Sequence, residues 1–144
     1  MPGYLSIFST KVIHENKDIQ TRFVDSLYFF EEYCQRNAIK LVYIYIPFIE
    51  TYYMSKWLNM TGETENDYNT GFYESLLLSH CKTKSIPILN PAFLIGTHVA
   101  KGEHLEFKYD THMNEAGNLI VGEFIISKLK NNIDLSALIE TPIP

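Results

Sequence analysis

Leu41-Val-Tyr-Ile-Tyr-Ile46 is apolar or aromatic at every position and is closed by Pro47. A strand with one wet face alternates apolar and polar residues, so an unbroken apolar run predicts a strand covered on both faces, as in a parallel sheet. Upstream, Asp18 to Arg36 carries Phe23, Leu27, Phe30 and Cys34 at helical spacing, with Glu31, Glu32, Gln35 and Arg36 on the other side. That is the pattern of an amphipathic helix laid on the sheet, and Asn37-Ala38 supplies the turn between them.

Working downstream, Phe48-Ile-Glu-Thr-Tyr-Tyr-Met-Ser-Lys-Trp57 is rich in rings and Thr61-Gly-Glu-Thr-Glu-Asn66 reads as a polar loop. A second helix is predicted from Asp67 to Lys82, with Phe72, Tyr73, Leu76, Leu77 and His80 on one side. Ile86-Pro-Ile-Leu89 reads as a short strand, at an edge or irregular because Pro87 has no amide donor. Asn90-Pro91 opens a connection through Gly96-Thr-His98 to Gly102-Glu-His104. Leu105-Glu-Phe107-Lys-Tyr109 then reads as a strand, Leu119 to Leu129 as a helix, and residues 131–144 as a tail. Strands alternating with helices predict a single α/β domain over 1–144, a three-layer sandwich with a mostly parallel sheet and helices on both faces.

Composition limits the function. The chain has 144 residues, 46% of them hydrophobic, enough for one core, and ten tyrosines and nine phenylalanines against one tryptophan mean that rings fill much of it. A formal net charge of −5 without a basic cluster argues against nucleic-acid binding, since neutralising phosphates needs gathered Lys and Arg. Lys128 and Lys130 instead suit a helix C-terminus. No apolar run approaches the roughly 18 residues of a membrane span, so no membrane insertion is expected. Cys34 and Cys81 lack a short metal-ligand spacing and read as buried free thiols, which leaves the compartment open. His98, His104 and His112 with Asp110 match no recognised metal spacing, and an extended 104–112 segment would hold its two histidines on the order of 20 Å apart. Neither a metal nor an organic cofactor is expected.

The chemistry gathers in Asp110-Thr-His112-Met-Asn114-Glu-Ala-Gly117. An aspartate two residues before a histidine can accept the ring Nδ1 proton, fix the tautomer and leave Nε2 as a general base. Asn114 suits the N-cap of the helix that follows, and Gly117 offers a face without a side chain where the helix start can approach a strand. The plainer reading is that Asp110, His112 and Asn114 are loop and cap residues. Tyr52, Tyr53 and Trp57, just past a strand's carboxyl end, are placed to line a pocket for a substrate, with core filling as the alternative.

The Asp-x-His-x-Asn-x-x-Gly pattern followed by an apolar helix resembles the C-terminal block of the SGNH hydrolases, also called the GDSL esterase family, and most closely the branch of the alginate acetylation proteins. Lys40 to Pro47 is similar to that branch's core strand ending in Ile-Pro, and Ser85 to Asn90 to its next short strand, so the likeness covers roughly Lys40 to Lys130. The resemblance implies a flavodoxin-like fold, His112 as general base, Asp110 as its orienting partner, and hydrolysis of an ester or transfer of an acetyl group on a small molecule or saccharide through a serine acyl-enzyme. Three departures stand against it. The chain has no Gly-Asp-Ser, it lacks matching glycine and asparagine blocks for the oxyanion hole, and it carries Met113 where that branch commonly has an aromatic residue.

The resemblance therefore leads to two expectations. One is the C-terminal portion of a longer hydrolase-like domain, lacking the N-terminal strand with the nucleophile and able to self-associate through an exposed sheet edge. The other is a non-catalytic binding or interaction module that retains the fold.

Overall fold

A computed structural model of the chain describes residues 8–62, 64–107 and 112–131. The elements are α1 (Thr10–Glu15), α2 (Lys17–Arg36), β1 (Tyr43–Ile44), α3 (Met54–Thr61), α4 (Phe72–Lys84), β2 (Ile88–Leu89), α5 (Ala92–Ala100) and α6 (Glu115–Asn131), with single 3-10 turns over Ile49–Tyr53 and Glu65–Asp67. The described residues form a mixed α/β structure, mostly helical, around one parallel strand pair. Residues 132–144, read as a tail, lie outside the described residues.

β1 and β2 pair in register Tyr43 to Ile88 and Ile44 to Leu89. The Tyr43 amide donates to the Pro87 carbonyl at 3.0 Å and the Tyr45 amide to the Leu89 carbonyl at 2.9 Å. Pro87 is accommodated because it stands just before the strand and gives the ladder only its carbonyl. The prediction that 41–46 is covered on both faces is corrected. Tyr43 and Tyr45 turn toward Leu27, Leu77 and Cys81 of α2 and α4, while Ile44 and Ile46 on the opposite face are 42% and 47% exposed. The cover on that face stops at β2, where Leu89, the partner of Ile44, is 2% exposed, and α5 and α6 pack on the 3-10 turn beyond β1.

α2 forms where expected but is rotated from the predicted face. Leu27 is buried and Phe23 and Cys34 are partly covered, yet Phe30 points to solvent and Glu31 points inward. α5 replaces what reads in the sequence as a connection. Gly96, a loop signal by composition, is there because the Tyr52 ring lies against the helix: a Cβ at this position would stand 3.0 Å from Tyr52 Cε1. Of the strand expected at 105–109, residues 108 and 109 lie outside the described residues and the rest forms a single antiparallel bridge between Glu106 and Met113.

Three apolar clusters hold these parts. Phe8, Met54, Leu58 and Tyr68 tie α3 to the segment before α1, and Leu27, Leu77 and Cys81 tie α2 to α4. Ile49, Ile95, Leu105 and Val121 unite the turn after β1, α5, the 105–107 segment and α6. The third cluster is the floor on which the histidine-bearing hairpin rests.

Candidate functional site

Residues 105–107 and 112–114 lie side by side, antiparallel. The Phe107 amide donates to the His112 carbonyl at 3.2 Å and the Asn114 amide to the Leu105 carbonyl at 2.9 Å, on either side of the Glu106–Met113 bridge. Alternation along a paired backbone sends neighbouring side chains to opposite faces. Met113 accordingly packs on the Ile49–Ile95–Leu105–Val121 cluster, and His112 is exposed. Met113 thus serves as the apolar anchor of this segment. Asp110, the other half of the predicted dyad, lies outside the described residues.

Asn114 is the clamp of this turn. Its Oδ1 accepts from the Gly117 amide at 3.0 Å, the N-cap bond to the third residue of α6, and its Nδ2 donates to the carbonyls of His104 at 2.8 Å and Glu106 at 3.1 Å. Gly117 completes the fit, because a Cβ there would lie 2.7 Å from the Leu105 carbonyl oxygen and 3.3 Å from Met113 Cβ. The predicted cap and close approach are both present. Asn114 is fully engaged within the fold, so its amide holds the loop rather than facing a ligand.

Tyr52 and Tyr53 join the same floor from the turn after β1. The Tyr52 hydroxyl donates to the Ala92 carbonyl at 2.6 Å, and the Tyr53 hydroxyl to Glu106 Oε2 at 2.8 Å. Burial, then the bond to Glu106, pushes the Tyr53 phenol up to about 12, and burial with Glu74 nearby pushes Tyr52 further above the usual range. Both phenols stay protonated and committed as donors, which leaves ring surface as what they could offer a ligand. The other Glu106 oxygen stands 3.4 Å from His104 Nδ1. The structure therefore gathers Tyr52, Tyr53 and Met113 on one core, with Asn114 clamping the backbone beside it, whereas His112 is exposed. Trp57 is on α3, whose inward residues Met54 and Leu58 belong to a different cluster, and its side chain lies outside the described part.

Asn90, just after β2, bridges two elements: its Nδ2 donates to Glu74 Oε1 at 2.6 Å and its Oδ1 accepts from the Ala92 amide at 2.9 Å, which sets the start of α5. Among the described residues no three His, Cys, Asp or Glu side chains gather as a metal site, and no helix is long and apolar enough to cross a membrane.

A buried carboxylate–imidazole pair, which sequence reasoning missed, sits between α2 and α4. His80 Nε2 meets Glu31 Oε1, with side chains only 7% and 14% exposed. The Tyr43 hydroxyl is 3.4 Å from the same oxygen and 3.2 Å from the Leu27 carbonyl. The Tyr28 ring stands edge-on to His80 at 5.2 Å and carries Lys84 Nζ over its face at 4.8 Å. Burial, with Glu31 adding to it, pushes the Cys81 thiol up to about 11, consistent with an unreactive core cysteine. Both cysteines are free thiols, but only Cys81 is buried as expected; Cys34 is partly exposed.

Chemically, residues 112–117 present an exposed imidazole next to a clamp and a helix cap, an arrangement able to exchange a proton with a group that approaches from solvent. Neither family models, nor curated proteins, nor solved structures yield a match to this chain.

Proposed function

We propose that this chain is the histidine-bearing part of an SGNH-like, flavodoxin-like three-layer hydrolase or O-acyltransferase, with its nucleophilic serine supplied by polypeptide outside these residues. His112 takes the serine proton as the serine attacks the ester carbonyl and returns it to the leaving alcohol, while Asp110 orients the ring and stabilises the imidazolium. Tyr52, Tyr53 and Trp57 contribute ring surface to an acetylated saccharide or small ester. The observation that carries the reading is the hairpin clamped by Asn114 and seated on Gly117, because a general base has to be held within a fraction of an ångström by rigid neighbours.

Two measurements test it. Long-range 1H–15N NMR of the neutral ring is expected to find His112 as the Nδ1–H tautomer and to lose that preference in Asp110→Ala; a tautomer indifferent to the substitution removes the dyad. Treatment with a fluorophosphonate followed by intact-mass measurement is expected to leave this chain unlabelled. A single adduct that disappears in His112→Ala would put the nucleophile inside these residues and overturn the missing-serine part of the reading. The second reading, a non-catalytic module, draws on Asn114 having its amide and side chain wholly engaged in local structure. It predicts the indifferent tautomer.

A further inference from the structure

The outer face of α2 is apolar where a surface helix is usually polar. Phe29 is 67% exposed, Tyr33 56%, Phe30 55% and Ile19 43%, along one strip of α2 that runs from beside the Leu27 face to the side opposite it. At the middle of this face lies a shallow groove lined by Arg22, Asp25, Ser26, Phe29 and Phe30. Its floor is Ser26, whose hydroxyl folds back onto the Arg22 carbonyl at 2.8 Å and so presents little polarity outward. Such a contiguous apolar patch with a polar margin marks a surface that another molecule covers.

We infer that a second copy of this chain covers it, with the two α2 helices packed antiparallel around a twofold axis near Leu27. Charge selects this occupant and this direction. One flank of the apolar face carries Asp18 with Arg22 and, further along, Glu32 with Arg36, each an exposed ion pair along the helix. In an antiparallel pair the same flank meets itself reversed. Asp18 then stands opposite the second copy's arginine at position 36, and Arg22 opposite its glutamate at position 32. A parallel pair would set these charges against the Ile19 and Phe30 side of the second copy instead. The same reversal places Phe29 of each copy at the level of the other's Asp25, so the ring enters the groove over Ser26 beside the Arg22 guanidinium, a cation–π position. Covering these side chains removes roughly 400 Å² per copy, about half the area of a standard specific interface, so the dimer is a weak and transient one.

Sedimentation velocity on the full chain, from about 5 to about 500 µM, is expected to show a monomer–dimer equilibrium with a dissociation constant on the order of 10–100 µM. Phe29→Lys weakens it at least ~10-fold, as do Arg22→Glu and Glu32→Arg singly, each setting like charges face to face. The double variant Arg22→Glu with Glu32→Arg restores association to within about threefold, since the swap keeps the pairing complementary. Circular dichroism of each variant confirms an intact fold, which these exposed positions should preserve. A chain that stays monomeric throughout, and is instead covered by another protein, overturns the inference. So does a dimer indifferent to Phe29→Lys, which would put association at the β1 edge, or a double variant no better than the singles.

Discussion

The two longest helices of this protein are placed by opposite means. α6 is fixed at its first turn: Asn114 caps it, the same side chain ties down the carbonyls of His104 and Glu106, and Gly117 lies against Leu105. All of those partners are within about a dozen residues of one another along the chain. α2 has no side-chain cap, since Asn16 sends its amide back to the Val12 carbonyl. What sets its rotation is Glu31 reaching His80, 49 residues away, with the Tyr43 hydroxyl beside them. The contrast shows that a helix can be anchored by its own flanking sequence or by a distant polar partner. The second kind turns an apolar face outward if the polar partner demands it, and that is where Phe29 and Phe30 stand.

The sharpest way to break this contrast is to remove the distant partner. His80→Ala leaves the Glu31 carboxylate in a nearly dry setting with Tyr43 as its remaining neighbour and is expected to cost about 3 kcal/mol in urea unfolding, because an unpaired buried charge loses more than the pair ever contributed. Replacing both, Glu31→Leu with His80→Leu, is expected to cost less than His80→Ala alone, the coupling sign of a buried pair. A loss under about 1 kcal/mol in His80→Ala would mean that α2 is held by Phe23 and Leu27 packing and not by this contact.

At the other helix the corresponding break is Gly117→Ala. Alanine is normally the better helix former, but here its methyl would sit 2.7 Å from a backbone carbonyl with Met113 and Leu105 close on either side. Backbone cannot yield as a side-chain tip can, so the variant is expected to lose about 2–3 kcal/mol, and the hairpin carrying His112 would shift with it. Asn114 separates the cap from the clamp at a smaller scale. Asn114→Ala removes both and is expected to cost about 1–2 kcal/mol, whereas Asn114→Asp keeps the cap acceptor and loses the two bonds to the carbonyls. If aspartate matches wild type in thermal unfolding, the clamp contributes nothing and the loop is held by Met113 alone.

These cases also show which parts of the fold were legible in the sequence. The Asn114 cap and the Gly117 approach could be read because both are local signals at fixed offsets from a helix start. The parallel strand pair could be read from 41–46 and 86–89, but the one-sided cover of β1 could not, since an apolar run does not say where the next layer of helices will go. α5 was hidden because Gly96 is a loop signal by composition, and only the ring of Tyr52, more than forty residues earlier, explains a glycine there. Glu31 was assigned to the polar side of α2 for a related reason. Hydrophobic periodicity cannot anticipate that a carboxylate will be drawn inward by an imidazole from another helix. For the candidate site, the place of His112 just before the α6 cap could be read from the Asn114 signal, whereas the support of Tyr53 through Glu106 depends on contacts across 53 residues.

The smallest effect is the control that gives the Gly117 result its meaning. Gly122 is in the interior of the same helix, and a Cβ built on it meets nothing within 4 Å. Here alanine brings only its benefit, less backbone entropy to lose on folding, so Gly122→Ala is expected to stabilise the protein by about 0.5–1 kcal/mol in the same urea titration. The two glycines are five positions apart, and the same substitution should move stability in opposite directions. If both variants lose stability, the cost at Gly117 comes from α6 as a whole tolerating no added bulk. If both gain, the Leu105 carbonyl can move aside and the hairpin under His112 is less firmly seated than its contacts imply. Only the split in sign ties the loss to the one place where helix and hairpin touch backbone to backbone.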